Sequence, residues 1–326
     1  MSQLTLAQRY TILVLLKENR SKPSIAKTIG VNKTTIYREL SRNKDERSKK
    51  YNPDLAQRKT NYRHKIKAKH KRFTPEIQRY AEKLIRTEQY SPEQVSGFMK
   101  SEGQATVSHE TIYIHIWKDK KQGGDLHTHL RRQGRKYRKR GNKKDTRGII
   151  KDRISIDERP TRVDLREVFG DLEVDLIIGK NHKGAIVTIN DRASGMLKMQ
   201  LVESKESKVV TKTIISLLED WKPFILSMTA DNGKEFAGHK EVSKELCIDY
   251  YFAHPYHSWE RGSNENLNGL IRQYIPKKTD FSNLTVEFIN RIESKLNRRP
   301  RKRFNYKNPI FVMDQLLFNS KVAFIG

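Results

Sequence analysis

Apolar residues recur every three or four positions through the first 43 residues, a period that predicts three helices. The first runs from about Thr5 to Asn19. Ser21 caps a second, with Pro23 near its first turn, and Asn32 caps a third that ends near Arg42. Between the last two, Ala26, Gly30 and Ile36 have the spacing of a helix-turn-helix: a small residue where the helices touch, a glycine for the turn, and an apolar anchor under the recognition helix. The exposed side of that third helix offers Lys33, Thr34, Thr35, Tyr37 and Arg38, short polar and cationic groups suited to base edges and phosphates. A second block of three helices is opened by Thr74-Pro75-Glu76, Ser91-Pro92-Glu93 and Ser108, the last helix carrying Ile112, Tyr113, Ile116 and Trp117 toward a core. This reads as a second helix-turn-helix, or as a small domain that spaces the first from the C-terminal half of the chain.

Beyond Arg153 the pattern shortens to the two-residue period of strands. Leu172 to Ile178, Ala185 to Asn190 and Met196 to Val202 form three β-rich runs separated by Gly/Asn/Asp turns. Ser207 to Trp221 is helical, Phe224 to Ala230 a fourth strand, Phe236 to Leu246 a helix and Ile248 to Phe252 a fifth strand. The expectation is α/β, a mixed five-stranded sheet with helices on it, preceded by all-α helix-turn-helix domains. The next helix runs from about Glu260 to Tyr274. Turning by roughly 100° per residue, it sets Arg261, Glu265, Asn268 and Arg272 on one face and Leu267, Leu270, Ile271 and Tyr274 on the other. Glu265 is thereby presented, whereas Glu260 near the helix start is read as complementing the N-terminus. One more helix, Val286 to Leu296, precedes a basic run from Arg298 to Arg303, read as phosphate contacts.

Charge sharpens this outline. The 326 residues carry 66 Lys and Arg against 38 Asp and Glu, a formal +28. Residues 170 to 260 hold 14 acids and 11 bases, whereas residues 261 to 326 hold 5 acids and 13 bases. A mildly acidic block between strongly basic ones suits a polyanion whose reacting phosphate is brought to carboxylates. Residues 44 to 72 read as a basic linker or a helix laid along phosphates. Residues 118 to 153 are the most cationic, with 15 Lys or Arg against 4 Asp. Arg135, Lys136, Arg138, Lys139 and Arg140 in their middle read as a tether that clamps backbone phosphates. The domains expected are thus residues 1–43, helix-turn-helix; 44–72, linker; 73–118, second helical block; 119–153, linker; and 154–326, catalytic domain with a basic C-terminal helix. The apolar run Ile12 to Leu16 is too short to span a membrane. Cys247, the single cysteine, excludes a disulfide framework, fits a reducing cytoplasm, and reads as a small core residue. His109, His115, His127 and His129 have neither cysteines nor a ligand spacing to make a zinc site.

Three acids carry candidate chemistry. Asp175 lies inside the first strand, pointing opposite to Val174 and Leu176, with Glu173 on its face. Asp231 ends the fourth strand, where Asn232-Gly233 turns the chain. If those strands are neighbours, the two carboxylates come close and the helix brings in Glu265. Three clustered carboxylates repel one another unless cations lie between them, and hard divalent ions held by oxygens are the suitable partner. A pair of them roughly 4 Å apart serves an in-line phosphoryl displacement.

The segments GDLEVDLIIG, TADNGKEF, SWERGSNENLNG and PKKTDF, with Glu158-Arg159-Pro160 before them and the helix-turn-helix in front, resemble the bacterial DDE transposases of the family named after insertion sequence thirty. Between Asp231 and Glu265 lie 33 residues, the family's spacing. Leu172 stands where that family often has Trp, and Lys278 where it often has Gly. The resemblance implies an RNase H-like, integrase-type core and a metal-binding catalytic triad of Asp175, Asp231 and Glu265 using two Mg2+, with Mn2+ as substitute. It also implies a bacterial, cytoplasmic, nucleoid-associated enzyme that binds the terminal inverted repeats of an insertion sequence. Such an enzyme cleaves at the element's ends and joins the freed 3′ hydroxyl to target DNA as a homodimer or larger assembly. Arg261, Asn268 and Arg272, on the face of Glu265, are expected to hold DNA. A metal-dependent nuclease or resolvase that cuts without joining would share the triad, and a transcriptional regulator with an inert core would share only the helical front.

Overall fold

The computed structural model describes residues 3–66, 72–131, 150–255, 257, 260 and 262–323. The chain forms two compact units, Met1–Lys71 and Arg72–Gly326. The first holds α1 (Leu6–Lys17), α2 (Lys22–Ile29), α3 (Lys33–Asn43) and α4 (Pro53–Ile66). Thr5 and Gln8 close a capping box on α1, and the Ser21 and Asn32 side chains accept from the first turns of α2 and α3. Gly30 adopts φ 74° at the end of α2, the left-handed turn between the two helices. Leu4, Ile12, Ile25, Ala26 and Ile36 make the core beneath.

Of the two readings of residues 44–72, linker or helix, the structure has the helix over much of the stretch. Its α4 packs on α1 and α3 largely through polar groups, which a search for apolar stripes overlooks. Arg9, 2% exposed, pairs with Glu39 at 2.8 Å and donates to Leu4 O at 2.8 Å and to Thr60 Oγ1 at 3.2 Å. Tyr51 Oη donates to the same Glu39 at 2.9 Å. A guanidinium this buried needs every donor met, and α4 supplies partners.

The second unit opens with α5 (Pro75–Thr87), α6 (Pro92–Ser101) and α7 (His109–Lys121), each capped by the predicted Thr74, Ser91 or Ser108. Ala81, Leu84, Ile85, Val95, Met99, Ile112 and Ile116 form their core, and Leu126 and Leu130 fold back into it. The start of the supposed linker 119–153 therefore belongs to this block. Tyr113 and Trp117 lie at the surface, contrary to expectation, because Ile112 and Ile116 alone complete the buried stripe of α7. The run Arg135 to Arg140 lies outside the described residues.

The sheet has six strands rather than five: β1 (Ile154–Ser155), β2 (Asp171–Ile178), β3 (Ala185–Asp191), β4 (Leu197–Val202), β5 (Ser227–Ala230) and β6 (Asp249–Phe252). Their order is β1-β6-β5-β2-β3-β4. Only β3 runs against the rest, pairing antiparallel with β2 and β4, while β2, β5, β6 and β1 pair in parallel. This is the RNase H-like arrangement. The two-residue β1 was missed because a strand that short has no period to detect. After β1 comes the single-turn α8 (Arg162–Leu165).

One face of the sheet packs Leu172, Val174, Val187, Met228 and Ala230 against α9 (Ser207–Leu218) and α10 (His239–Leu246). The other packs Ile177, Ile186, Leu197 and Met199 against α11 (Gly262–Tyr274) and α12 (Val286–Asn297). The last helix is α13 (Pro309–Ala323). Leu172 is fully buried. Lys278 takes φ 71°, a left-handed conformation that only glycine adopts without strain. Cys247 is exposed rather than in the core, because it occupies the left-handed cap that ends α10. No described helix is long and apolar enough to cross a membrane.

Candidate active site

Strand alternation sorts the side chains of β2. Leu172 and Val174 enter the core under α9, so Glu173 and Asp175 face α11. Glu173 is fully buried, and it accepts from Arg192 Nη1 at 2.7 Å and from the Asn264 backbone N–H at 3.2 Å. Arg192 also donates to Asp164 at 2.9 Å, which in turn accepts from Arg159 at 2.6 Å. Thus Glu173 is a strut under the N-terminal end of α11, a role the sequence did not signal.

Asp175 stands higher on the same face, half-buried. Its Oδ1 accepts from the Leu176 N–H at 2.9 Å and its Oδ2 from Asn268 Nδ2 at 2.6 Å. On the neighbouring strand, Leu172 pairs with Met228 and Glu173 with Thr229. The pairing ends there; continued two residues on, the same register would set Asp175 opposite Asp231, just past the end of β5. Met228 and Ala230 point into the α9 core, so alternation turns Asp231 toward the α11 face. Asp231 Oδ1 accepts from the Gly233 N–H at 2.9 Å, the bend that ends the strand.

Helix α11 is laid along β2 by hydrogen bonds that include Asn264 N–H to Glu173 and Asn268 to Asp175. Glu265 sits between those anchors and is exposed, while Leu267, Leu270 and Ile271 are buried as the periodicity predicts. The oxygens of the three acids are not all within 4.8 Å of one another. A pair of ions roughly 4 Å apart requires a wider set than one ion does.

Other expected site residues are distributed differently. Asn268 is engaged by Asp175 and positions that carboxylate; its own Oδ1 is buried without a partner. Arg272 donates to Ile178 O and Pro276 O, both at 3.4 Å, and its burial pushes its pKa down. Arg261 lies outside the described residues. On the first unit Lys33, Thr34, Tyr37 and Arg38 are exposed, and Thr35 is half-buried. Lys22 Nζ lies 4.8 Å from the Tyr37 ring centre.

Glu260 has a different role from the one expected. It accepts from the His254 N–H at 2.9 Å, from His254 Nδ1 at 2.8 Å and from His257 Nδ1 at 3.0 Å, closing the loop before α11. With Glu260 on one ring nitrogen and Asp157 on the other, the His254 pKa is raised.

The basic run after α12 also divides. Arg299, 2% exposed, is a tie between the second helical block and the sheet domain. It donates to Gln94 Oε1 at 3.1 Å, to Gln273 Oε1 at 3.0 Å and to Gln89 O. Arg301 and Arg303, with Arg131 and Lys302, line a cavity of 330 Å3 beside α11. Burial and the neighbouring Arg299 and Arg303 push Arg301 down to about 9. Clustered guanidiniums of this kind suit a phosphate. Arg299 was read as a phosphate contact because its place in the chain looked no different from its neighbours'.

A helix-turn-helix domain family matches residues 1–43. The transposase for insertion sequence element IS4351 of Bacteroides fragilis is 52% identical over 98% of this chain and 98% of its own length. The transposase InsI for insertion sequence element IS30A of Escherichia coli is 30% identical over 96% of this chain and 84% of its own. Among solved structures, the catalytic core domain of BIV integrase covers 46% of this chain and 97% of its own, at 18% identity and a TM-score of 0.38. With relatives this similar along nearly its whole length, the chain belongs to the insertion-sequence transposases of the family named after insertion sequence thirty.

Proposed function

We propose that this transposase acts through Asp175, Asp231 and Glu265 on phosphodiesters at the ends of its mobile element. In this reading it cleaves there and joins the freed 3′ hydroxyl to a second DNA. The observation that supports the reading is the parallel pairing of β2 with β5, whose register, continued two residues past Glu173↔Thr229, would set Asp175 opposite Asp231 beneath the helix bearing Glu265. The donor set is all oxygen: two aspartates, Glu265 and the unpartnered Asn268 Oδ1 beside Asp175. That chemistry fits hard cations such as Mg2+, or Mn2+ in its place. Bound there, two such ions supply activation of the attacking hydroxyl and stabilisation of the leaving oxygen.

The protein's own residues do the rest. Asn268 fixes the rotamer of Asp175, and Glu173 holds the start of α11 so that Glu265 stays over the strands. Lys33, Thr34, Thr35, Tyr37 and Arg38, together with the second helical block, bind the element's terminal repeats. Arg301, Arg303 and Arg131 hold a phosphate of the strand beside α11. Arg303→Ala is expected to weaken DNA binding about equally for all sequences and to reduce the slope of log affinity against log salt by about 1. Fluorescence anisotropy across a salt series measures it, and an unchanged slope removes Arg303 from the interface. Two ends handled together imply a dimer or larger assembly on DNA.

The decisive assay supplies a pre-cut element end and a supercoiled target plasmid with Mg2+. Joined product is expected. Cutting without joining would make the protein a nuclease or resolvase, and neither would leave a DNA-binding regulator.

A further inference from the structure

We propose that His254, His257 and Glu260 form a second metal site, distinct from the three acids, that takes a borderline transition-metal cation of the Zn2+ class. His254 Nδ1 lies 2.8 Å from Glu260 Oε1, and His257 Nδ1 lies 3.0 Å from the same oxygen. The three ligand atoms all fall within 4.8 Å of one another, the one trio of its kind among the described residues. Two imidazoles and one carboxylate are a common zinc ligand set, leaving a fourth position for water, whereas Mg2+ demands oxygens. Tetrahedral bonds of roughly 2.0 Å hold ligand atoms about 3.3 Å apart. The two pairs bonded to Glu260 reach that spacing by opening about 0.3 to 0.5 Å, and the two imidazoles already lie within 4.8 Å of each other.

A second observation points the same way. His254 Nε2 lies 2.9 Å from Asp157 Oδ2, a carboxylate brought by the turn after β1. A ligating histidine characteristically gives its other ring N–H to a carboxylate, which fixes the tautomer and the ring plane. Asp157 is placed to do this for His254, so that a cation replacing the Nδ1 proton would meet the Nδ1 lone pair on the Glu260 side. As a salt bridge alone, the cluster would ask one oxygen of Glu260 to serve two imidazoles; a cation satisfies all three groups at once.

The position gives such a site a purpose. Ala253 N–H bonds Ala230 O at 2.9 Å, so the loop begins against the residue before Asp231. Its ligands end just ahead of α11, which carries Glu265. The bound ion would staple the connection between the second and third acids and join it to the β1 turn, a positioning role rather than a chemical one.

The test uses the full-length chain, loaded with Zn2+, freed of excess by gel filtration and assayed by atomic emission. About one zinc per chain is expected, unchanged in Asp175→Asn and lost in His257→Ala and Glu260→Gln. Asp157→Asn is expected to weaken zinc affinity roughly 10–100-fold. Zinc content no lower in His257→Ala than in wild type would overturn the site, as would a wild-type chain that retains none. Because a variant can fail to fold, the wild type is also titrated with Co2+. An intense tetrahedral visible spectrum supports the site, and the weak spectrum of the aqueous octahedral ion refutes it.

Discussion

Asp175→Asn, Asp231→Asn and Glu265→Gln are each expected to lower strand cleavage in Mg2+ by on the order of 10^3-fold or more, roughly 4 kcal/mol of transition-state stabilisation. Binding to the element's ends should stay within about twofold, because the residues proposed to read DNA lie on other elements. An amide keeps the shape of the carboxyl but removes the charge that holds a hard cation. An asparagine at 175 keeps one acceptor oxygen, for either Asn268 Nδ2 or the Leu176 N–H, and the Asn264 N–H on Glu173 also holds α11, so the helix should remain in place. Cleavage of a labelled end, measured beside its electrophoretic shift, separates the two effects. Near-normal cleavage by any one variant would remove that residue from the triad.

Arg192→Met should be the most damaging single change to stability in the sheet domain. It takes away the guanidinium 2.7 Å from Glu173, a fully buried carboxylate that also accepts from the Asn264 N–H at 3.2 Å. Removing one member of a buried ion pair costs roughly 3–5 kcal/mol because the remaining charge stays out of water. For a unit of this size that lowers Tm by about 6–20 °C. Glu173→Gln combined with Arg192→Met removes the stranded charge and should recover most of the loss. Thermal unfolding of both, followed by circular dichroism, decides it. Equal destabilisation of the single and double variants would show that packing, not charge, sets the cost. Because Glu173 also holds Asn264, the single variant should lose cleavage at temperatures well below its Tm.

The helical front was legible because caps and glycines act locally. Ser21, Asn32, Ser91 and Ser108 accept from the first turns of their helices, as their spacing alone indicates. The buried stripe of α11 was equally plain, since Leu267, Leu270 and Ile271 recur at the helical period. Helix α4 was not, because its anchors are Arg9, Glu39 and Thr60, polar groups that look solvated until the chain folds around them.

The chain alone determined which side chains each helix and strand turns to one face, and so presented Glu265 at the surface of α11. That arises from local stereochemistry, which a few neighbouring residues dictate. Tertiary structure decided which presented groups meet: Asn268 with Asp175, Arg192 with Glu173, Arg299 with Gln94, and His254 with both Glu260 and Asp157. These partners stand from 6 to 205 residues apart, and their pairing is set by strand register and helix packing, to which the period of a single element is blind.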